Sequence, residues 1–162
     1  MDAAAEPLRY GVAERAAVAG LSGLQMLRAV LARELPSPPI SRVLAFRLAE
    51  AEHGSCVFTG EPSADYFNPL GTVHGGWAAT LLDSAMGCAV HTTLKPGEGY
   101  TTVEMKLNYV RPILPKTGPV RCEGRVIHRG ATIATSEGKL LDSAGKLLAH
   151  GTETCMIFPA RG

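Results

Sequence analysis

The chain lacks three things, each of which would have marked a class of protein. There is no surplus of one charge: 16 Lys and Arg stand against 15 Asp and Glu, so nothing suggests a polyanion groove for nucleic acid or a basic membrane face. No apolar run approaches the ~20 residues of a membrane span, and Met1-Asp2 puts an acid where a secretory leader wants basic residues. Cysteines are few and scattered, at Cys56, Cys88, Cys122 and Cys155, with no CxxC pair and far from the density of a disulfide scaffold. These absences predict reduced thiols in a soluble, cytoplasmic protein with neither nucleic acid nor membrane as partner. Small acidic ligands stay open, since a few local Arg and Lys suffice for them. There is no internal repeat or low-complexity segment, and 162 residues fit one globular unit that buries roughly two thirds of its unfolded surface.

Charge is also missing locally. Between Asp65 and Lys95 the only formal charge is Asp83, within a stretch of Gly, Ala, Ser, Leu and Met. A solvated helix face usually carries Lys and Glu, so one carboxylate in such surroundings makes Asp83 the first functional candidate. The run that leads to it, Asn68-Pro-Leu-Gly-Thr-Val-His74-Gly75-Gly76, sets polar groups at the mouth of a helix. Asn68 before Pro69 is a common turn starter, and His74-Gly75-Gly76 alone would be a tight turn. Only their combination with Asp83 points to a site.

The spacing predicts a helix over about Gly75 to Thr93, ended by Lys95-Pro96-Gly97. At ~100° per residue, Trp77, Ala78, Leu81, Leu82, Ala85 and Ala89 share a core face. Gly76, Thr80, Asp83 and Gly87 lie opposite, on a small, polar side shaped for close approach by a partner chain or ligand. Before this helix, residues Val12 to Leu35 read as helical, split at Ser22-Gly23 with Ser22 as cap; residues 44–48 and 55–59 read as a first hairpin across His53-Gly54. After it come strands at 102–110, 120–128, 132–141 and 147–158. Strict alternation in the first of these puts Val103, Met105, Leu107 and Tyr109 on one face, with Thr102, Glu104, Lys106 and Asn108 on the other. Glu104 is read as a solvated or interface residue. One apolar helix followed by successive antiparallel strands implies an α+β layer in which a curved sheet covers the helix, with an N-terminal helical extension over residues 1–39 and the main domain over 40–162.

The Asn68-(x)5-His74-Gly75-Gly76-(x)6-Asp83 pattern, followed by Thr101-Thr-Val-Glu-Met-Lys-Leu-Asn-Tyr-Val-Arg-Pro112, resembles the hotdog-fold acyl-CoA thioesterases of the phenylacetate-degradation (PaaI-like) type, over roughly Val43 to Phe158. The resemblance implies an antiparallel sheet wrapped around one long helix, paired side by side with a second copy into a homodimer and often a homotetramer, with active sites at the dimer interface. It implies an acyl-CoA substrate and no cofactor or metal. It makes Asp83 the nucleophile or general base, sets His74 and Asn68 near the thioester, and makes the Gly75 N–H the oxyanion donor. Thr102, or Thr101 after a shift of register, falls where a hydroxyl orients the attacking water. Gly76 borders the substrate, and Arg111, Arg129 and Lys95 are the candidates for coenzyme A phosphates. The segment before Pro39 exceeds a minimal hotdog domain and either caps the acyl pocket or extends an interface.

The residues support this chemistry independently. A thioester carbonyl becomes an oxyanion during hydrolysis, and free N–H groups in the first turn of a helix, with roughly +0.5 charge from aligned peptide dipoles, are suited to it. Asp83 lies nine residues beyond His74, hence ~13 Å along the axis. The two ends cannot easily serve one carbonyl within one chain, but two antiparallel helices could exchange them, which demands a homodimer with two shared sites. That spacing also argues against a metal held by His74 and Asp83, and no cysteine sits at an electropositive helix start where it would be a nucleophile. Two rivals remain: a hotdog dehydratase or hydratase, and a non-catalytic acyl-CoA-binding protein.

Overall fold

The computed structural model describes residues 8–160, and structural statements refer to these; the ends of the expected 1–39 and 40–162 segments lie outside them. Three short helices come first: α1 (Arg15–Val18), α2 (Gly23–Leu31) and α3 (Pro39–Val43). A hairpin of β1 (Phe46–Glu52) and β2 (Ser55–Gly60) leads through a loop to the long helix α4 (Gly75–His91). Four strands follow: β3 (Glu98–Tyr109), β4 (Val120–Arg129), β5 (Ile133–Leu141) and β6 (Leu147–Pro159). All six strands join one antiparallel sheet in the order β1-β2-β4-β5-β6-β3, curved around α4. This is the hotdog arrangement expected above.

The core is the contact between α4 and the sheet. Trp77, Ala78, Leu81, Leu82, Ala85 and Ala89 are all buried, as their common face predicts, and pack with Phe46, Phe58, Val120, Cys122 and Leu140. The backbones meet closely at Gly124 on β4, where even a methyl group would stand 2.1 Å from the Ala85 carbonyl oxygen. A helix can lie so low on a sheet only where the strand has no Cβ. The far end of α4 is tied to the first hairpin through Thr92, whose hydroxyl donates to the Ala89 carbonyl at 2.6 Å and accepts the Gly54 N–H at 2.7 Å.

Ser22 caps α2 as expected: its hydroxyl accepts the Gln25 N–H at 3.3 Å, and the Gln25 side chain accepts the Ser22 N–H at 2.8 Å. Gly23 then packs on His91 and donates its N–H to the Leu94 carbonyl at 3.1 Å. The helical region is more broken than the 12–35 pattern suggests. Pro39 opens an unanticipated turn of helix, α3, at the N1 position that suits a fixed φ and a missing donor, so β1 begins at Phe46 rather than residue 44.

A second correction concerns β3, which starts at Glu98 and is irregular. Thr102 pairs with Cys155 and Glu104 with Thr154, so Val103 is the extra residue of a β-bulge. The bulge resets the alternation: Val103 is 54% exposed, while Thr102, Met105 and Leu107 are all half-buried. Thr102 therefore faces the helix side, not the side that strict alternation gave it. Gly87 is also not open to a partner, because Tyr100 of β3 covers it within the chain.

Candidate active site

The first half of the site is the N-terminus of α4. Asn68 folds the preceding loop on itself: its Oδ1 accepts the N–H groups of Leu70 at 2.9 Å and Thr72 at 3.3 Å, and its Nδ2 donates to the Thr72 hydroxyl at 2.8 Å. The His74 N–H donates to the Tyr66 carbonyl at 2.7 Å, and His74 Nδ1 accepts the Gly76 N–H at 2.9 Å, which makes His74 the N-cap. This consumes the Gly76 donor and leaves the Gly75 N–H without a partner among the described residues. Tyr109 brackets Gly75 by donating its hydroxyl to the Gly75 carbonyl at 3.2 Å. Two grooves flank this end. One, of about 370 Å³, is lined by Gly75, Ala78, Tyr109, Arg111 and Ile113; the other, of about 360 Å³, by Leu44, Tyr66, Phe67, His74, Trp77 and Thr80.

The second half lies two turns along α4. The bulge in β3 brings the Thr102 hydroxyl to 3.3 Å from Asp83 Oδ1. The same hydroxyl is 2.8 Å from Oε1 of Glu153 on β6, which also accepts from the Cys155 thiol at 3.1 Å. Asp83 is half-buried and Glu153 is 1% exposed. Burial pushes the Glu153 carboxyl up to about 7, against the pull of the Cys155 and Thr102 hydrogen bonds and with the Asp83 charge adding to the rise. Thr101 is exposed, and the hydroxyl that reaches Asp83 is that of Thr102.

The three candidate cations are not brought together. Arg111 lines the groove beside Gly75 and donates to the Leu147 carbonyl at 2.6 Å. Lys95 and Arg129 lie past the other end of a helix ~25 Å long, around Glu98, whose Oε2 accepts the Lys95 N–H at 2.9 Å and the Arg129 guanidinium at 2.8 Å. These contacts hold the Glu98 carboxyl below its ordinary range, the Lys95 N–H first. Arg129 also donates to the Gly130 carbonyl.

A profile of the Thioesterase superfamily matches residues 70–149, a span that includes Gly75, Asp83 and Thr102. Human acyl-coenzyme A thioesterase 13 is 31% identical over 133 residues, covering 80% of this chain and 93% of that protein. The chain belongs to the thioesterase superfamily. A thioesterase structure from Ralstonia eutropha, described as phenylacetic acid degradation-related, superposes with TM-score 0.72 at 28% identity over 84% of this chain and 99% of that one. The PaaI protein of the E. coli phenylacetic acid degradation operon shares the fold, with TM-score 0.68 at 18% identity over 75% of this chain and 85% of that one.

For this thioesterase the sequence reading missed Glu153. The signal was present: Glu153 falls in phase with Gly151, Cys155 and Ile157, all buried, so a carboxylate stands in the inward row of a strand where an apolar residue belongs.

Proposed function

We propose that this hydrolase cleaves acyl-CoA thioesters to a carboxylate and free coenzyme A, with Asp83 as nucleophile or general base, in a site shared between two copies of the chain. The observation that carries the reading is the Asp83 carboxylate: it is the one formal charge on α4, it is half-buried, and it is fixed through Oδ1 by Thr102. Its Oδ2 has no partner among the described residues and is the atom free to act.

As base, Oδ2 takes a proton from water while the water oxygen bonds to the thioester carbon. The carbonyl oxygen becomes an oxyanion and is received by the Gly75 N–H of a second copy. When the C–S bond breaks, the leaving thiolate recovers the proton. As nucleophile, Oδ2 itself bonds to the carbon, the C–S bond breaks as coenzyme A leaves as the thiolate, and water later opens the resulting anhydride, giving back the Asp83 carboxylate, the product carboxylic acid and the proton that the thiolate takes up. His74 orients the donor turn, Asn68 holds its loop, and Thr102 fixes the acid. Arg111 at the groove mouth, with Arg129 and Lys95 at the other end, offers charge to coenzyme A phosphates from the two copies.

Pairing of two copies is supported by β3. It is a sheet edge, 12 residues long, with Val103 and Tyr109 exposed in it and Val110 exposed just past its end, and long apolar edges are commonly closed by another strand. A homodimer through this edge, assembling further into a homotetramer, is the assembly we assign.

The test is thiol release from a panel of aromatic and aliphatic acyl-CoAs by the parent, Asp83→Asn and Asp83→Ala. Both variants should lose at least ~1000-fold in kcat while remaining folded. Parental turnover in either removes Asp83 from the chemistry.

A further inference from the structure

Beyond the residues assigned so far, one buried acid has no role. Glu153 sits behind Asp83, and the Thr102 hydroxyl lies between their carboxyls, 2.8 Å from Glu153 Oε1 and 3.3 Å from Asp83 Oδ1. A hydroxyl carries one hydrogen. It can donate to one of the two carboxyls, and the other is then a hydrogen-bond partner only if it brings a proton of its own. Two ionised carboxylates would leave one of these contacts as lone pair against lone pair.

The surroundings decide which acid carries the proton. Glu153 Oε2 is buried and has no hydrogen-bond partner among the described residues. The groups that face Glu153 are Asp83 and Gly87 of α4, Tyr100 and Thr102 of β3, Ser136 opposite it on β5, and Cys155 on its own strand. Cys88 and His91 stand behind Tyr100, His91 with its ring edge-on at 5.5 Å. No Lys or Arg is among the groups that act on Glu153. A carboxylate with a bare, buried oxygen and no cation is costly, whereas a neutral acid with a bare carbonyl oxygen costs much less. Asp83, by contrast, is only half-buried and keeps access to water, which can solvate its charge.

We propose that Glu153 is a positioning residue: as the neutral acid it donates from Oε1 to the Thr102 hydroxyl, which donates to Asp83 Oδ1 and leaves Asp83 Oδ2 free toward the thioester. The Cys155 thiol donates to the same Oε1 and holds that oxygen in place. When Glu153 ionises, the Thr102 hydrogen turns to it, Asp83 loses its anchor, and a second negative charge stands behind the site where an oxyanion must form. The elevated titration of Glu153, at about 7, sets where this happens and agrees with the geometric argument.

This inference rests on the assignment of Asp83, and the experiment separates the two. kcat and KM are followed against pH by thiol release, with phenylacetyl-CoA and hexanoyl-CoA as probes, for the parent, Glu153→Gln, Glu153→Leu and Asp83→Asn. The parent should lose kcat as pH rises through about 7. Glu153→Gln, whose amide donates in place of the acid, should keep kcat within ~3-fold of the parent below that pH and lack the alkaline fall. Glu153→Leu should lose ~10- to 100-fold in kcat with little change in KM. A protonated-carboxyl C=O stretch in the infrared spectrum of the parent should vanish in Glu153→Gln. An alkaline fall that persists in Glu153→Gln, or a Gln variant as slow as the Leu one, overturns the role of Glu153 while an inactive Asp83→Asn leaves the site assignment standing. Parental turnover in Asp83→Asn overturns both.

Discussion

Adding a single methyl group at Gly124 tests how α4 is seated. A Cβ there would lie 2.1 Å from the Ala85 carbonyl oxygen, 2.3 Å from its carbon and 2.8 Å from the Met86 nitrogen, all backbone atoms that no side-chain rotation can move. Ordinary contact needs over 3 Å, so α4 must rise by ~1 Å, which forfeits a quarter to a half of each dispersion contact along the Leu81, Leu82, Ala85 and Met86 face. Overpacking of this kind costs 1–3 kcal/mol, and a rigid backbone clash belongs at the top, about 3 kcal/mol. For a chain of this size that corresponds to a Tm lower by roughly 6–12 °C. Two further glycines calibrate the scale. At Gly60 the Cβ would meet the flexible Leu81 Cδ2 at 2.8 Å and the Trp77 ring at 3.0 Å, for about 1–2 kcal/mol. At Gly11 the nearest atom is Pro36 Cβ at 3.9 Å, so Gly11→Ala should stay within about 0.5 kcal/mol of the parent. The three Ala variants are compared by thermal unfolding under one buffer. Because Asp83 is two residues from Ala85, Gly124→Ala should also lower kcat, on the order of 100-fold for an ~1 Å displacement. A Gly124→Ala protein that melts with Gly11→Ala would refute the close seating of helix on sheet.

Two other predictions concern stability. Ser22→Ala removes the α2 capping box and should cost about 1 kcal/mol in chemical denaturation, with amide exchange rising first in α2; an unchanged midpoint would mean that α2 is held by Gly23 and Leu27 alone. For Glu153, the folded carboxyl titrates at about 7 against an ordinary 4.5, so between these values the folded chain holds a proton that the unfolded chain has released. Stability from this group is full below 4.5, falls by up to about 3 kcal/mol as pH rises to about 7, and is flat above. Glu153→Gln should remove that slope and be the more stable protein above pH ~7; parallel stability–pH curves for the two would refute the shift.

The legible parts of the fold were those with period. The buried face of α4 follows from 3.6-residue spacing, and β4 to β6 from turn chemistry at Arg129-Gly130 and Asp142 to Gly145. The Ser22 cap was legible because its chemistry is local. The Val103 bulge was not, since a bulge adds a residue without changing composition, and it is set by pairing with β6, 50 residues away. Strict alternation therefore put Thr102 on the wrong side of its strand, although resemblance had picked it out for the site. Glu153 was obscured for a related reason: an acid in an inward row acquires meaning only when α4 and β3 close over it. Asp83 stood out because its neighbours in sequence are also its neighbours in space.

The shared site can be tested by complementation. Gly75 is N1 of α4 and the preceding His74 is extended, at φ −60° and ψ 136°, so Pro fits the backbone at 75 and deletes only the N–H. The Tyr109 ring, 3.1 Å from the Cβ position, must yield by a few tenths of an ångström. Losing the donor should lower kcat ~100- to 1000-fold, and Asp83→Asn should be at least as slow. If each site takes its acid from one copy and its N–H from the other, a mixed dimer of the two variants has one site with both defects and one with neither. Random exchange of equal amounts makes about half of all dimers mixed. One intact site in two then restores about a quarter of parental turnover from two nearly inactive proteins. If native mass spectrometry finds mixed dimers and the mixture stays as slow as its parts, acid and donor act within the same chain, and the ~12 Å between them along α4 must be bridged by some other means.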